Sequence, residues 1–224
     1  MKKTLILVVI VLLVSSAAFA KIAGSKHDLT SSVYYTSTAA KSACQFCHTP
    51  HHAAAGVAAP LWNRANSTAT YALYASNSGG NTLSGSTIAQ PGANSMTCLS
   101  CHDGTMNLGD VLNGPSDTIT ATNTLVISAG KLVGGGGYIG TDLTTTHPIG
   151  VVYDTAKTKA GLNSTIAADG STINNKNWRI YGGGNATGRV ECGSCHDPHM
   201  TDAGKTPFLK DTLNSICTDC HSNK

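Results

Sequence analysis

The sequence predicts a mostly irregular chain with few short α-helices and short β-strands, folded around an interior that its own side chains do not supply. Among 224 residues there are three Phe and two Trp against 24 Gly, with long stretches of Ala, Ser, Thr and Asn. Large aliphatic and aromatic side chains normally build a core. No apolar stripe of helical period persists beyond a few turns. Composition alone would suit a loosely ordered or repetitive chain, so something else must fill the interior.

The cysteines say what. All eight fall in one pattern, used four times: Cys44-Gln45-Phe46-Cys47-His48, Cys98-Leu99-Ser100-Cys101-His102, Cys192-Gly193-Ser194-Cys195-His196 and Cys217-Thr218-Asp219-Cys220-His221. Two thiols separated by two residues can each add to one vinyl group of the same haem, forming thioethers. The following His then lies under the iron as its proximal ligand. A disulfide scaffold, a redox-active CxxC pair and half a zinc site are the alternatives. None explains why His follows every pair with no cysteine left over. Four porphyrins would supply the missing apolar interior, which makes the fold class a haem-cored multihaem cytochrome c.

The N-terminus reads as an export signal over residues 1–20, followed by a single tetrahaem domain over residues 21–224. Lys2 and Lys3 form a charged region, Leu5 to Val14 an apolar run, and Ala18-Phe19-Ala20 a small-x-small cleavage site. The apolar run is short for a membrane span, though an uncleaved anchor helix is the competing reading. The mature chain is expected to begin at Lys21, with no membrane span and no cysteine there to carry a lipid.

Four haem irons have eight axial positions, and the chain has nine histidines. His48, His102, His196 and His221 are the proximal ligands; His27, His51, His52, His147 and His199 are the distal candidates. All four irons can therefore be bis-histidine with one histidine to spare, which leaves no open position for a substrate and suits electron transfer. Met96, Met106 and Met200 could ligate but are not needed. His51, His52 and His199 sit three or four residues behind a proximal histidine. Three residues span at most ~10 Å, too little to round a macrocycle edge, so His51 or His52, and likewise His199, are expected to ligate a neighbouring haem. Pro50 and Pro198 keep those links extended. Between the second and third sites, Thr124 to Ser128 and Ile149 to Tyr153 read as short β-prone runs, with a turn over Gly134 to Gly137. This segment reads as a loop-rich cover delivering His147. The sequons at Asn66, Asn163 and Asn185 match a pattern common by chance.

The formal charge of +3 includes Lys2 and Lys3; without them 13 basic residues face 12 acidic ones. Two propionates per haem add as much as about −8. Nothing here points to nucleic acid, and no Lys/Arg cluster forms a docking patch.

Several motifs resemble the doubled-CxxCH multihaem c-type cytochromes: Cys47 to His51 followed by Pro60-Leu61-Trp62-Asn63, Cys98 to Thr105, His147 to Val151, Cys192 to His199, and Phe208-Leu209-Lys210 running into Cys217 to His221. Four haems, this length and an early histidine are most similar to the tetrahaem subunits of extracellular cytochrome filaments, the OmcE type. The resemblance implies a nanowire subunit that polymerises head to tail. A distal histidine would cross to the next copy, with His27 the candidate, and electrons would pass to extracellular acceptors or other redox proteins. It implies export to the cell surface or beyond, with the periplasm as the alternative. A soluble periplasmic shuttle would share every motif. A multihaem reductase would need an open iron with acid–base groups beside it. The chain is thus expected to be an electron-transfer protein and not an enzyme.

Overall fold

The computed structural model describes residues 22–30, 35–37, 42–74, 83, 88–114, 119–121, 126–153, 161–163, 173, 176, 178–182, 187–200 and 208–222. The leader, the start at Lys21 and Asn185 lie outside the described residues. Among the described residues eight short strands form four separate two-stranded ribbons. β1 (Tyr35–Ser37) pairs antiparallel with β3 (Ile119–Ala121), β2 (Ala72–Leu73) parallel with β6 (Asp142–Leu143), β4 (Ile127–Ser128) antiparallel with β5 (Lys131–Leu132), and β7 (Val151–Val152) antiparallel with β8 (Arg189–Val190). β4 and β7 fall inside the two β-prone runs read from the sequence. Most of the described residues are irregular, as the composition predicts.

Each helical segment described in full carries a cysteine pair of the repeated pattern, or part of one. A 3-10 turn covers Ala43–Phe46, α1 covers Ala93–His102, α2 covers Cys192–Cys195 and α3 covers Leu213–Cys220. One helical turn brings residues three apart onto one face, which is what two thiols serving one macrocycle need. The backbone N–H groups of His48, His196 and His221 donate to the carbonyls of Cys44, Cys192 and Cys217 at 2.8, 3.0 and 2.8 Å. The turn thereby fixes where each histidine emerges. Thr212 caps α3 by accepting from the Ser215 N–H, and Gln45 Oε1 accepts from the Ser42 N–H at 2.9 Å.

Among the described residues the side-chain core is divided into three small clusters. Phe46, Leu108 and Ile127 pack with Cys47 and Cys101; Tyr71, Leu99 and Leu143 pack with Met96 and Ile149; Tyr153, Ile173, Trp178 and Ile180 pack with Ile216 and Cys220. Two of the three incorporate cysteines of the repeated pattern. No single cluster is large enough to hold 200 residues by itself, so the clusters brace the cysteine segments. Among the described residues, no helix is long and apolar enough to cross a membrane.

The second and third cysteine segments are locked together end to end. The Ser95 hydroxyl of α1 donates to the buried Glu191 carboxylate and accepts from the Cys192 N–H at 3.0 Å, while Asn94 Oδ1 accepts from the Gly193 N–H at 2.8 Å. This close approach explains the glycine inside the third pattern. A Cβ on Gly193 would stand 2.6 Å from both Asn94 Oδ1 and the Tyr181 hydroxyl, and the Asn94 amide cannot swing away without losing its bond. Gly193→Ala is therefore expected to destabilise the protein by about 1–3 kcal/mol, read as a lower thermal midpoint, without changing the cysteine or histidine ligands.

Candidate functional site

The first and third patterns are held by the same clasp. In the first, the Asn63 N–H donates to the Cys47 carbonyl and the Thr49 N–H to the Leu61 carbonyl, each at 2.8 Å, with His48 bridged to Trp62. In the third, the Lys210 N–H donates to the Cys195 carbonyl at 3.0 Å and the Asp197 N–H to the Phe208 carbonyl at 2.9 Å, with His196 bridged to Leu209. Leu61 and Phe208 both adopt φ 55°, a left-handed conformation that costs a bulky residue energy unless the surroundings enforce it. The Pro60 to Asn63 and Phe208 to Lys210 motifs are thus two copies of one device. It grips the chain on either side of a proximal histidine.

Three of the distal candidates stand opposite proximal histidines. The ring centroids of His27 and His102 are 5.9 Å apart, those of His199 and His48 6.1 Å, and those of His147 and His221 6.3 Å. Metal–imidazole bonds of about 2 Å, with each ring centre about 1 Å behind its nitrogen, set two axial histidines roughly 6 Å apart. Histidines in direct edge contact can show similar spacing, so the other ring nitrogen matters. Nδ1 of His48 lies 2.8 Å from the Pro60 carbonyl, Nδ1 of His102 2.5 Å from that of Gly137, and Nδ1 of His147 3.1 Å from that of Pro148. Nδ1 of His199 lies 3.2 Å from the Asp197 carboxylate. Since these partners only accept, each Nδ1 carries the proton and Nε2 is the free nitrogen, the arrangement that orients a metal-bound histidine. These residues fit axial ligation of a haem iron.

Burial disfavours the charged form of three of these histidines, His27, His102 and His147. His27 falls to about 4, chiefly through burial and then through the neighbouring His102, with the Pro198 carbonyl pulling the other way. Burial likewise lowers His102 and His147, opposed by the carbonyls their Nδ1 atoms meet. His147 is open on the side it presents yet surrounded enough for desolvation to act. His27 is also stacked on Phe208, centroids 4.3 Å apart and planes 10° from parallel. Its loop is fixed by the buried Asp28, which accepts from the Gly24 N–H at 2.8 Å and the Thr30 N–H at 3.1 Å. The early segment therefore turns inward, placing His27 against its own chain's second site.

His51 and His52 are different. Both rings are exposed, and no ring of the described residues stands opposite either. Their backbone is nonetheless fixed: the Thr49 hydroxyl donates to the His51 carbonyl at 2.9 Å and Asn113 Nδ2 to the His52 carbonyl at 2.8 Å. His52 takes φ 54°.

The thiols run in sequence order through space. Cys47 is pushed up to about 12 by burial first and then by the field of Cys101; Cys98 and Cys192 share a hydrogen bond that raises the first and lowers the second. Cys195 is pushed up to about 11 and Cys220 to about 12, burial leading in both, and the fields of Cys192 and Cys217 add to the first and that of Cys195 to the second. First neighbours second, second neighbours third, and third neighbours fourth. None of the eight cysteines is in a disulfide.

Residues 184–224 match the family model of the doubled CXXCH motif. The match covers the third and fourth patterns, and the doubled motif is a feature of multihaem c-type cytochromes. It indicates covalent haem binding and supports a role in electron transfer. No curated protein matches the chain.

Sequence reasoning gave no role to several residues that shape these sites, some of them inside its own motifs. Trp62 stands edge-on to His48 at 5.9 Å, and Arg64 is wholly buried beside it in the chain. Asp103 follows His102 and is held by the Tyr71 hydroxyl at 2.6 Å and by Thr105. Asp219, inside the fourth pattern, accepts from Trp178 Nε1 at 2.8 Å and pairs with Lys176 at 3.2 Å. Asp103 and Asp219 adjoin or interrupt a cysteine pattern, a signal open to inspection; Arg64 has none.

Proposed function

We propose that the protein is a tetrahaem electron conduit whose copies join end to end into an extracellular filament. The observation that carries the reading is the set of three histidine pairs at 5.9, 6.1 and 6.3 Å, each joining residues distant in sequence beside a CxxCH segment. Covalent haem supplies the one-electron couple. The chain's own residues hold that couple in place: the clasps fix His48 and His196, carbonyls orient His48, His102 and His147, and Asp197 orients His199. Two protein ligands at an iron leave no position for a substrate, which supports conduction over catalysis.

Self-association is supported by the repeated clasp. His51 follows His48 as His199 follows His196, three residues on and after a proline. His199 leaves its own clasp to face the histidine of another, His48. The equivalent His51, exposed and with His52 beside it, is suited to do the same to an iron in a second copy. With His27 turned inward, the bridging role falls to this pair. A contact of this kind joins two different surfaces and does not close, so it propagates.

Two measurements test the reading. Pyridine haemochrome analysis is expected to give four haems per chain, dropping by one for each CxxCH whose cysteines are replaced by alanine. Negative-stain electron microscopy of protein sheared from its native cells is expected to show filaments of uniform width. Discrete particles at every concentration would mean a soluble shuttle.

A further inference from the structure

Arg64 is the one charged side chain of the described residues with no solvent exposure at all, 0%, and no carboxylate among them pairs with it. Nη1 donates to the Leu108 carbonyl at 2.8 Å, and Nη2 to those of Asn107 at 2.8 Å and Ser100 at 3.3 Å. Its buried Nε has no partner. Ser100 lies between Cys98 and Cys101, near the C-terminus of α1. Leu108 packs with Phe46 against Cys47 and Cys101. The guanidinium is therefore set between the first and second cysteine patterns, and its field acts on the Cys47 thiol.

Three carbonyl dipoles, that of Ser100 near the C-terminus of α1 and those of Asn107 and Leu108 in the segment beyond it, offset part of the cost of burying a cation. A neutral amide could offer N–H groups to such carbonyls without that cost. Arginine adds a charge it does not give up. At the far end Glu191 is buried immediately before Cys192, and Asp219 within the fourth pattern is paired with the part-exposed Lys176 at 3.2 Å, so the buried charge there is acidic or paired. Asp103 places one carboxylate by the second site as well, so the first site is where Arg64 acts with least opposition from a buried acid.

We propose that Arg64 is a fixed buried charge that raises the reduction potentials of the first and second haem sites above those of the third and fourth, giving the row a direction. The inference rests on the tetrahaem reading above. Reduction adds one electron to a ferric centre and no atom, lowering its charge by one. A cation held in a low-dielectric interior disfavours the more positive ferric form, so electrons delivered by any one-electron donor settle toward the first site.

The test is a potentiometric titration of the haem-loaded protein, followed in the visible bands, for the native chain, Arg64→Gln and Arg64→Lys. Arg64→Gln is expected to shift the ferrous-to-ferric equilibrium of two centres about tenfold toward ferric, which is 59 mV for a one-electron couple. Arg64→Lys is expected to restore most of the shift. Two centres unmoved in a fully loaded Gln variant would overturn the proposal; so would a Lys variant that behaves as Gln does at a pH low enough to keep a buried lysine charged. A haem carboxylate drawn to Nε would cancel the charge, and the Gln variant would then lose haem with no change in potential, which also overturns it. A Gln variant that fails to fold leaves a second reading in the native background. Replacing Cys44 and Cys47 with alanine must remove one of the two highest potentials, and removal of one of the lowest would sink the idea. Haem content, measured alongside, separates this failure from failure of the tetrahaem reading.

Discussion

Replacing His199 with alanine is expected to open one iron while leaving haem content unchanged. Carbon monoxide binding by the reduced protein should rise from none to about one equivalent per chain, because an iron that loses one of two axial histidines becomes open to a diatomic ligand. The fold should survive the change. The His199 ring is exposed and its Nδ1 meets Asp197, itself part-exposed, so little packing is lost. The iron that opens should be the one held by His48, whose ring centre is 6.1 Å away, and not the one held by His196 three residues earlier. A second variant separates the two. When Cys44 and Cys47 are also replaced by alanine, the first site is gone and carbon monoxide binding should disappear with it. If binding persists in the triple variant, His199 serves another site and the pairing is wrong. Asp197→Asn should keep the ligand but weaken its orientation, giving partial binding, since the carboxylate that accepts from Nδ1 sets the ring and its basicity.

The CxxCH motifs were legible because covalent haem attachment would set their spacing, two thiols for two vinyl groups and a histidine directly after, and the third and fourth fall within the matched doubled motif. The shortage of large apolar residues likewise predicted few helices and strands, and the described residues have few. The pairing of distal histidines is another matter. It depends on which loops meet, and loops here are fixed by single contacts that no periodicity announces. His27 shows this. Its place near the start of the mature chain suggested a free, outward segment, but Asp28 ties the loop through two backbone N–H groups and Phe208 stacks on the ring. The inward turn rests on a carboxylate and an aromatic residue 181 positions away. Trp62 was visible as part of a motif, but its position edge-on to His48 follows from the clasp, a pattern of backbone hydrogen bonds and a positive φ at Leu61. Arg64 was invisible. A buried arginine reads like any surface arginine until the carbonyls of Ser100, Asn107 and Leu108 are seen converging on it.

The joint between copies should be carried by His51 and His52, and replacing both with alanine is expected to abolish filaments while leaving folding and the internal histidine pairs intact. Both side chains are exposed, and what they hold within the chain is held through backbone carbonyls, which alanine retains. Alanine at 52 keeps a φ of 54° that costs about 1–2 kcal/mol for a residue with a Cβ, a penalty that histidine already carries, so thermal stability should change little. Assembly should change a great deal. Open, non-closing contacts depend on the strength of each joint, and an iron–imidazole bond is far stronger than the scattered exposed apolar residues nearby, Leu61 and Leu112. Single variants assign the role: His51→Ala should match the double variant if the equivalence with His199 governs, leaving His52→Ala able to assemble. His27→Ala supplies the contrast. It should open the second site to carbon monoxide within each copy and leave filament formation in place, because its ring is committed to His102. Filaments from the His51/His52 double variant, or their loss only in His27→Ala, would return the bridge to the N-terminal segment.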